Sequence, residues 1–378
     1  MSLAFIVISI SVMFLAFSNG ANDNFKGVAT LLGSKTASYK TALLWATFTT
    51  LAGSLVAFFL AQKLMTNFSG KGLVPDEIVN LGSFSAAVAL ASASTVFLAT
   101  RLGFPISTTH ALTGSLVGAG FLASSSGVNT GTLFSTFFLP LLLSPVLAIM
   151  GTAVLYPVFR FTRKKLNVGR ESCLCIGNEV LMVAPRGVPK GAAAAMIQVE
   201  GFPSISVGTQ VTCEERYVGQ VWGLSAKRVL DVSHFFSAGL VSFARGLNDT
   251  PKIAAIFFAG KYFTGMPAVG IVGALIAVGG ILMAKRIAQT VSYQITEMND
   301  GQGFSANLVT SIIVIGASQL GMPVSTTHVS CGALFGIGTI TRQAHWGSIF
   351  KIVLAWVITL PVAGVLGFLS FALFRGVL

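Results

Sequence analysis

The chain has 378 residues, 53% of them hydrophobic and only 10% charged, with a mean hydropathy of +0.81. Soluble domains carry about 25% charged residues, so the composition excludes a soluble globular protein and indicates an integral membrane protein. The formal net charge of +12 lies mostly between apolar segments, which fits topology setting and contact with anionic lipid rather than nucleic acid.

Apolar stretches run at 1–34 (interrupted near 18–24), 41–62, 81–100, 104–123 and 130–159. A polar segment fills 160–226. The pattern resumes at 227–260 (interrupted near 245–251), 267–284, 304–320, 322–341 and 350–374. A spanning helix needs about 20 residues, so each half offers about five crossings. The first 17 residues resemble a signal peptide in hydropathy, but no basic region precedes them and their polar continuation has a counterpart in the second half; they read as a mature membrane helix. A straight helix over 1–34 would be about 51 Å long, so its polar cassette marks a break, a hairpin or an overhang. The expected organisation is an N-terminal transmembrane repeat at 1–159, an insert at 160–226 and a C-terminal transmembrane repeat at 227–378.

The insert carries turn residues (Gly187, Pro189, Gly201, Pro203, Gly208) between β-prone runs at Ile205–Val211 and Tyr217–Trp222, which predicts a small β-rich unit. It holds no catalytic constellation and reads as a folded linker. Cys173, Cys175 and Cys213 share it, and Cys331 lies in a membrane segment. A C-x-C pair with a distant third cysteine suits a metal or a disulfide, but the ligand set is incomplete and the segment reads as cytoplasmic, so ordinary thiols are expected. Residues 285–303, with Arg286, Glu297 and Asp300, read as an interfacial helix and loop.

Loop charges set the orientation. Lys35 and Lys40, then Arg101, then Arg160, Arg163, Lys164, Lys165 and Arg170 follow the first, third and fifth stretches. Lys285 with Arg286, and then Arg342, continue the alternation, while the 123–130 loop is uncharged. Both termini are therefore expected outside and the insert in the cytoplasm. An odd number of crossings per half inverts the second repeat relative to the first, the geometry of alternating access.

Two polar cassettes occur once per half. Phe17-Ser18-Asn19-Gly20-Ala21-Asn22-Asp23 returns as Phe243-Ala244-Arg245-Gly246-Leu247-Asn248-Asp249, and Asp23 and Asp249 lie 226 residues apart. Gly103-Phe104-Pro105-Ile106-Ser107-Thr108-Thr109-His110 returns as Gly321-Met322-Pro323-Val324-Ser325-Thr326-Thr327-His328, offset by 218. Polar groups inside hydrocarbon are costly and mark function. Gly20 and Gly246 permit a bend, which would free carbonyls beside Asn22, Asp23, Asn248 and Asp249 for a cation. Pro105 and Pro323 suit half-helix starts, where Ser107, Thr108, Thr109, Ser325, Thr326 and Thr327 join free N–H groups to surround a tetrahedral oxyanion.

His110 and His328 are candidate proton carriers or neutral donors that position the loop. Lys26 and Lys252 follow the aspartates by three residues and either pair with them or offer charge to the substrate; Pro251 argues against the second pairing. Arg245 replaces Asn19 in the repeat and either reaches the anion or snorkels.

With these motifs the chain resembles the PiT family of inorganic phosphate transporters, which carries a Gly-x-Asn-Asp motif in each half, here Gly20–Asp23 and Gly246–Asp249. The Pro-x-Ser-Thr-Thr-His elements at 105–110 and 323–328 match as well, as do the two halves around a large cytoplasmic loop. The resemblance covers both membrane halves but not the insert. It departs at Asn24-Phe25-Lys26, Leu247 and Pro251, and these departures bear on the coupling ion. The fold class it implies is an all-α polytopic membrane protein of two inverted-topology repeats with broken helices, plus the small β-rich insert.

The resemblance implies secondary-active phosphate uptake, coupled to sodium in some members and protons in others, and a homodimer. The expected function is Na⁺-coupled phosphate symport. Na⁺ would bind at Asn22, Asp23, Asn248, Asp249, Ser107 and Ser325, and phosphate at the two Ser-Thr-Thr triplets with Asn22 and Asn248. Lys26, Lys252, His110 and His328 are accessory. Proton symport and carriage of sulfate are the alternatives. No nucleotide-cradling GxxxxGK[ST] loop is present and no further cofactor is implied. A channel would need a continuous pore. An enzyme would need an oriented third partner for Ser107 and His110, which is not visible.

Overall fold

The computed structural model describes residues 3–125, 127–169, 171–183, 197–209, 211–212, 216–259 and 265–378. Gly187, Pro189 and Cys213 lie outside the described residues. The chain forms two compact units, Met1–Tyr156 with His234–Leu378, and Pro157–Ser233.

The smaller unit contains an antiparallel sheet of β1 (Ser172–Val183), β2 (Ile197–Thr209) and β3 (Tyr217–Ser225), in the order β2-β1-β3. Strand β2 takes in Ile205–Thr209 of the first β-prone run, Val211 lying beyond it, and β3 contains the second, Tyr217–Trp222. The register of β1 shifts between Asn178 and Val180 against β2 and between Ile176 and Asn178 against β3. Cys175 is disulfide-bonded, whereas Cys173 and Cys331 are free. The expectation of ordinary thiols thus fails at Cys175. Alternate residues of a strand share a face, so C-x-C buries both sulfurs on one side of β1, and only one of them meets a partner.

The larger unit is all helical in its framework. Among the described residues, seven segments are long and apolar enough to cross a membrane: Leu3–Gly33, Tyr39–Leu60, Gly82–Leu102, Thr130–Lys165, Met266–Met283, Asp300–Leu320 and Trp346–Phe374. The protein is an integral, multi-pass membrane protein. Exposed Leu142, Leu147, Val154, Phe350, Val357 and Leu369 on the fourth and last of these segments give an apolar outer face suited to lipid.

Helix α1 (Leu3–Asp23) carries the first cassette to its last residue. It breaks at Asn24-Phe25, turns through a short 3-10 segment at Lys26–Val28, and continues as α2 (Ala29–Gly33). Helices α3 (Tyr39–Leu60) and α4 (Gln62–Phe68) follow. Next come α5 (Gly82–Leu102), α6 (Thr108–Ala123) and α7 (Leu139–Lys165). In the second half, α8 (Ala226–Ala259) holds the other Asp cassette, and α9 (Met266–Met283) and the interfacial α10 (Lys285–Tyr293) follow it. Then come α11 (Asp300–Leu320), α12 (Thr326–Thr341) and α13 (Trp346–Phe374).

The interruption expected near 245–251 is absent: α8 runs unbroken through Pro251. Proline costs a helix one hydrogen bond to the fourth residue back, here Leu247, without forcing an end. The cassette glycines do different work from bending. A Cβ on Gly20 would lie 1.9 Å from the Ile276 carbonyl oxygen, and one on Gly246 would lie 2.1 Å from that of Thr50. The same crossings recur where Gly53 meets the Phe243 carbonyl and Gly279 meets that of Phe17, each at 2.0 Å. Helix α1 therefore crosses α9 as α8 crosses α3, by the backbone-to-backbone approach that small residues allow in lipid. Likewise Gly114 and Gly118 of α6 seat against α13, and Gly332 and Gly336 of α12 seat against α7. Each half lends helices to the packing of the other.

The Gly-x-Pro elements form the other breaks. Gly103 (φ 81°) and Gly321 (φ 74°) end α5 and α11 in the left-handed conformation, which glycine adopts at no steric cost. Ser107 and Ser325 then start α6 and α12. At 16 residues each, these helices are about 24 Å long. That is shorter than a bilayer core of roughly 30 Å, and neither helix is among the seven segments long enough to cross.

Candidate functional site

The four cassettes meet in the interior of the larger unit. Asp23 closes α1 and Asp249 sits in mid-α8; the N-terminus of α6 reaches Asp23 through Thr108, and that of α12 reaches Asp249 through Thr326 and Asp23 through Thr327. Asn22, Asp23, Asn248, Asp249, Lys26, Lys252 and all six Ser/Thr residues are buried. The candidate residues are therefore brought together, although sequence separates the two sets by more than two hundred positions.

Lys26 Nζ makes contact with Asp23 Oδ1 and donates to Asn22 Oδ1 at 2.7 Å. It also donates to the Ile106 carbonyl at 2.8 Å and to Thr327 Oγ1 of the opposite half at 2.7 Å. Lys252 Nζ repeats the arrangement. It donates to the Val324 carbonyl at 2.7 Å and to Thr109 Oγ1 of the opposite half at 2.8 Å, with Asp249 Oδ1 3.6 Å away. The second ion pair, which Pro251 argued against, forms because α8 continues as a helix and keeps the three-residue spacing on one face.

Asp23 Oδ2 accepts from Thr108 Oγ1 at 3.1 Å and Asn19 Nδ2 at 3.0 Å. Asp249 Oδ2 receives Thr326 Oγ1 and Asn19 Nδ2, each at 3.4 Å. Asn19 thus ties the two carboxylates together. Arg245, its counterpart in the repeat, is buried and does not snorkel. Its guanidinium donates to Asn24 Oδ1 at 3.2 Å and Thr50 Oγ1 at 3.3 Å, and approaches Asn19 Oδ1 at 3.5 Å.

Asn22 and Asn248 brace the Gly-x-Pro loops. Asn22 Nδ2 donates to the Phe104 carbonyl and Thr100 Oγ1, and Asn22 Oδ1 accepts from the Ile106 amide. Asn248 Nδ2 donates to the Val324 carbonyl, and Ser318 Oγ donates to Asn248 Oδ1. Thr100 and Ser318 were not singled out by sequence. The signal was present: both stand three residues before the Gly-x-Pro glycine, on the same 218-residue offset.

Ser107 and Ser325 are N-caps with nearly identical backbones (φ −96°, ψ 118° and φ −97°, ψ 115°). Their hydroxyls accept from the His110 and His328 amides at 3.1 and 3.2 Å. Removing an N-cap oxygen costs about 1 kcal/mol, so Ser107→Ala and Ser325→Ala should each lower the thermal unfolding midpoint by a few degrees, with additive loss in the double variant. The first two N–H groups of each half-helix, those of Thr108, Thr109, Thr326 and Thr327, have no intrahelical partner by position. The His110 and His328 rings lie edge to face at 4.3 Å, so the two N-termini converge, and His328 stacks on Trp356 at 4.0 Å. Trp356 Nε1 donates to the Pro105 carbonyl at 3.0 Å. The two rings pack on one another and on Trp356 beside the loop, and among the described residues neither ring hydrogen-bonds to Asp23 or Asp249.

What gathers here is chemistry for holding and releasing an ion: paired hydroxyls, free amide ends, two carboxylates and three buried cations. Residues 19–367 match the sequence profile of the phosphate transporter family. A candidate phosphate permease of Pyrococcus horikoshii is 26% identical over 94% of this chain and 94% of its own length. A probable low-affinity inorganic phosphate transporter of Rhizobium meliloti is 28% identical over 95% of this chain and 93% of its own. In fold, the chain is similar to a solved structure described as the sodium-dependent phosphate transporter, with a TM-score of 0.75, 21% identity and full coverage of both chains. These relatives are permeases and transporters, not enzymes. With the profile spanning both cassette pairs and nearly the whole membrane unit, the chain belongs to the phosphate transporter family.

Proposed function

We propose that the protein moves inorganic phosphate across the membrane as a secondary-active carrier, by alternating access. The observation that carries this reading is the convergence of two half-helix N-termini, each bearing a Thr-Thr pair, at a centre with more fixed positive than negative charge. Among the described residues, Lys26 pairs with Asp23 and Lys252 with Asp249, while the Arg245 guanidinium donates to neutral Asn24 and Thr50. Hydroxyls and amide N–H groups donate to a tetrahedral oxyanion without fixing it by full charge, and the helix dipoles favour the anion. Thr108, Thr109, Thr326 and Thr327 are the proposed phosphate ligands, with Asn22 and Asn248 holding the loops that present them and Ser107 and Ser325 capping the half-helices.

A cavity of about 430 Å³ reaches the Gly103-Phe104 loop and is lined by Arg286, Gln289, Thr290 and Lys351, among others. Its basic wall suits an incoming anion. Interlocked repeats of opposite orientation would let one side of the centre open while the other closes, with the Gly-x-Pro loops as the thin walls. Loop charges place both termini outside and the insert in the cytoplasm in this reading. The Cys175 disulfide favours an oxidising compartment instead, and labelling of Lys164 and Lys165 by a membrane-impermeant amine reagent on intact cells distinguishes the two placements. A second copy of the chain against the exposed apolar face is the proposed assembly.

The coupling ion is framed by the two carboxylates. Sodium would use the oxygens of Asn22, Asp23, Asn248 and Asp249 with Ser107 and Ser325, and protons would use the carboxylates or histidines. Uptake of radiolabelled phosphate by the purified protein in liposomes tests the substrate. Uptake that saturates and resists excess unlabelled sulfate is the expected result, and absence of uptake under both a sodium and a proton gradient overturns the reading.

A further inference from the structure

The oxygens that suit a sodium ion are present, but each set already surrounds an ammonium group. Around Lys26 Nζ stand one carboxylate, one side-chain amide, one backbone carbonyl and one hydroxyl oxygen, from Asp23, Asn22, Ile106 and Thr327. Around Lys252 Nζ stand the carboxylate of Asp249, the Val324 carbonyl and the Thr109 hydroxyl. These are the hard oxygen donors that small cations take in proteins. They also come from the same combination of elements in both halves: an Asp cassette, its own half's Gly-x-Pro loop, and the Thr-Thr pair of the other half. Ile106 and Val324, and Thr109 and Thr327, lie on the 218-residue offset, so the arrangement is built twice.

Resting on the transporter reading above, we propose that Lys26 and Lys252 are tethered cations standing where coupling sodium would bind, so that transport by this protein does not depend on sodium. A lysine buried in a membrane protein persists where it is paired and its three protons find acceptors. Within these oxygen cages Lys26 meets that condition in full, and Lys252 meets it with two hydrogen bonds and the Asp249 carboxylate 3.6 Å away as its counter-charge. A sodium ion entering either cage would have to displace an ammonium already covalently attached to the chain at very high effective concentration. The charge that a bound cation would bring to the anion is thereby supplied permanently. Lys26 fills its cage more completely than Lys252, because Asn22 Oδ1 joins the first, while Asn248 Oδ1 accepts from Ser318 instead.

Two readouts test this, one of which needs no transport. The first is thermal unfolding of the purified full-length protein in sodium chloride against choline chloride at equal ionic strength. A ligand bound only by the folded state raises the midpoint. No sodium-specific rise is expected for the natural protein, and a rise of about 3 °C or more overturns the proposal. In the Lys26→Asn and Lys252→Asn variants the cage is vacated beside an aspartate, so sodium-specific stabilisation should appear. If it appears in neither folded variant, the lysines are not stand-ins for a cation and the proposal falls. Should Lys26→Asn fail to fold, Lys252→Asn reads the looser cage alone.

The second readout is phosphate uptake in liposomes at fixed pH with and without sodium on both faces. Equal rates for the natural protein are expected, with about tenfold greater sodium dependence in the variants. A sodium requirement in the natural protein overturns the proposal. Failure of all phosphate uptake would overturn the transport reading instead, leaving the sodium question to be decided by the unfolding midpoints.

Discussion

Asp23→Asn is expected to reduce phosphate uptake by about two to three decades, and Asp249→Asn by about one. Asp23 uses both oxygens closely: Oδ1 meets Lys26, and Oδ2 accepts from Thr108 and Asn19 at 3.1 and 3.0 Å. An amide there keeps only one acceptor oxygen. It must turn an N–H either toward an ammonium or toward two donors, and it leaves Lys26 buried without its counter-charge. Removing one partner of a buried ion pair costs about 3–5 kcal/mol, and each 1.4 kcal/mol is about tenfold in an equilibrium. Asp249 makes looser contacts, with Lys252 at 3.6 Å and Asn19 and Thr326 at 3.4 Å, so less is lost. Initial uptake rates at matched protein content check the order. Equal losses in the two variants would show that contact geometry does not set the effect.

Gly20→Ala and Gly246→Ala should each destabilise the protein by about 3 kcal/mol, at the upper end of the usual overpacking range. The added Cβ would meet backbone oxygen at 1.9 or 2.1 Å, and a backbone atom in a packed helix cannot rotate away as a side chain can. The helices must separate, which opens the α1–α9 or α8–α3 crossing beside the carboxylates. Gly316→Ala is the control of opposite sign. Its Cβ meets nothing within 4 Å, so the exchange should be neutral or gain up to about 1 kcal/mol of helix propensity. Thermal midpoints of the three variants in one detergent check the prediction, and a Gly20→Ala midpoint within a degree of the natural protein would refute the close-crossing account.

Much of this was legible in the chain because the signals were local. Hydropathy runs marked the long spans, β-branched runs marked the outer strands of the insert, and the offsets of 226 and 218 marked the duplicated elements. What escaped was set by contacts between distant segments. A glycine in a polar cassette reads equally as a hinge or as a place where another backbone comes close, and only the positions of Ile276 and Thr50 show the latter. Pro251 reads as a break, yet the packing of α8 carries the helix through it. Asn19 looks like one polar residue among several until it is seen to lie between two carboxylates 226 residues apart in sequence. Cys175 gave no local sign of which sulfur in C-x-C would be bonded.

The exchange of threonines between halves has a further consequence. Lys26 completes its surroundings with Thr327, and Lys252 with Thr109, so neither half owns a finished environment for its own charge. A polypeptide containing one half alone would present a lysine and an aspartate to lipid with part of their solvation missing. Two separate copies of such a half would recover it only by pairing about a two-fold axis, each lending its threonine to the other's lysine. Joining them in one chain removes that search, and it also frees the halves to diverge, as Asn19 and Arg245 have done, because each now meets a single, permanent neighbour.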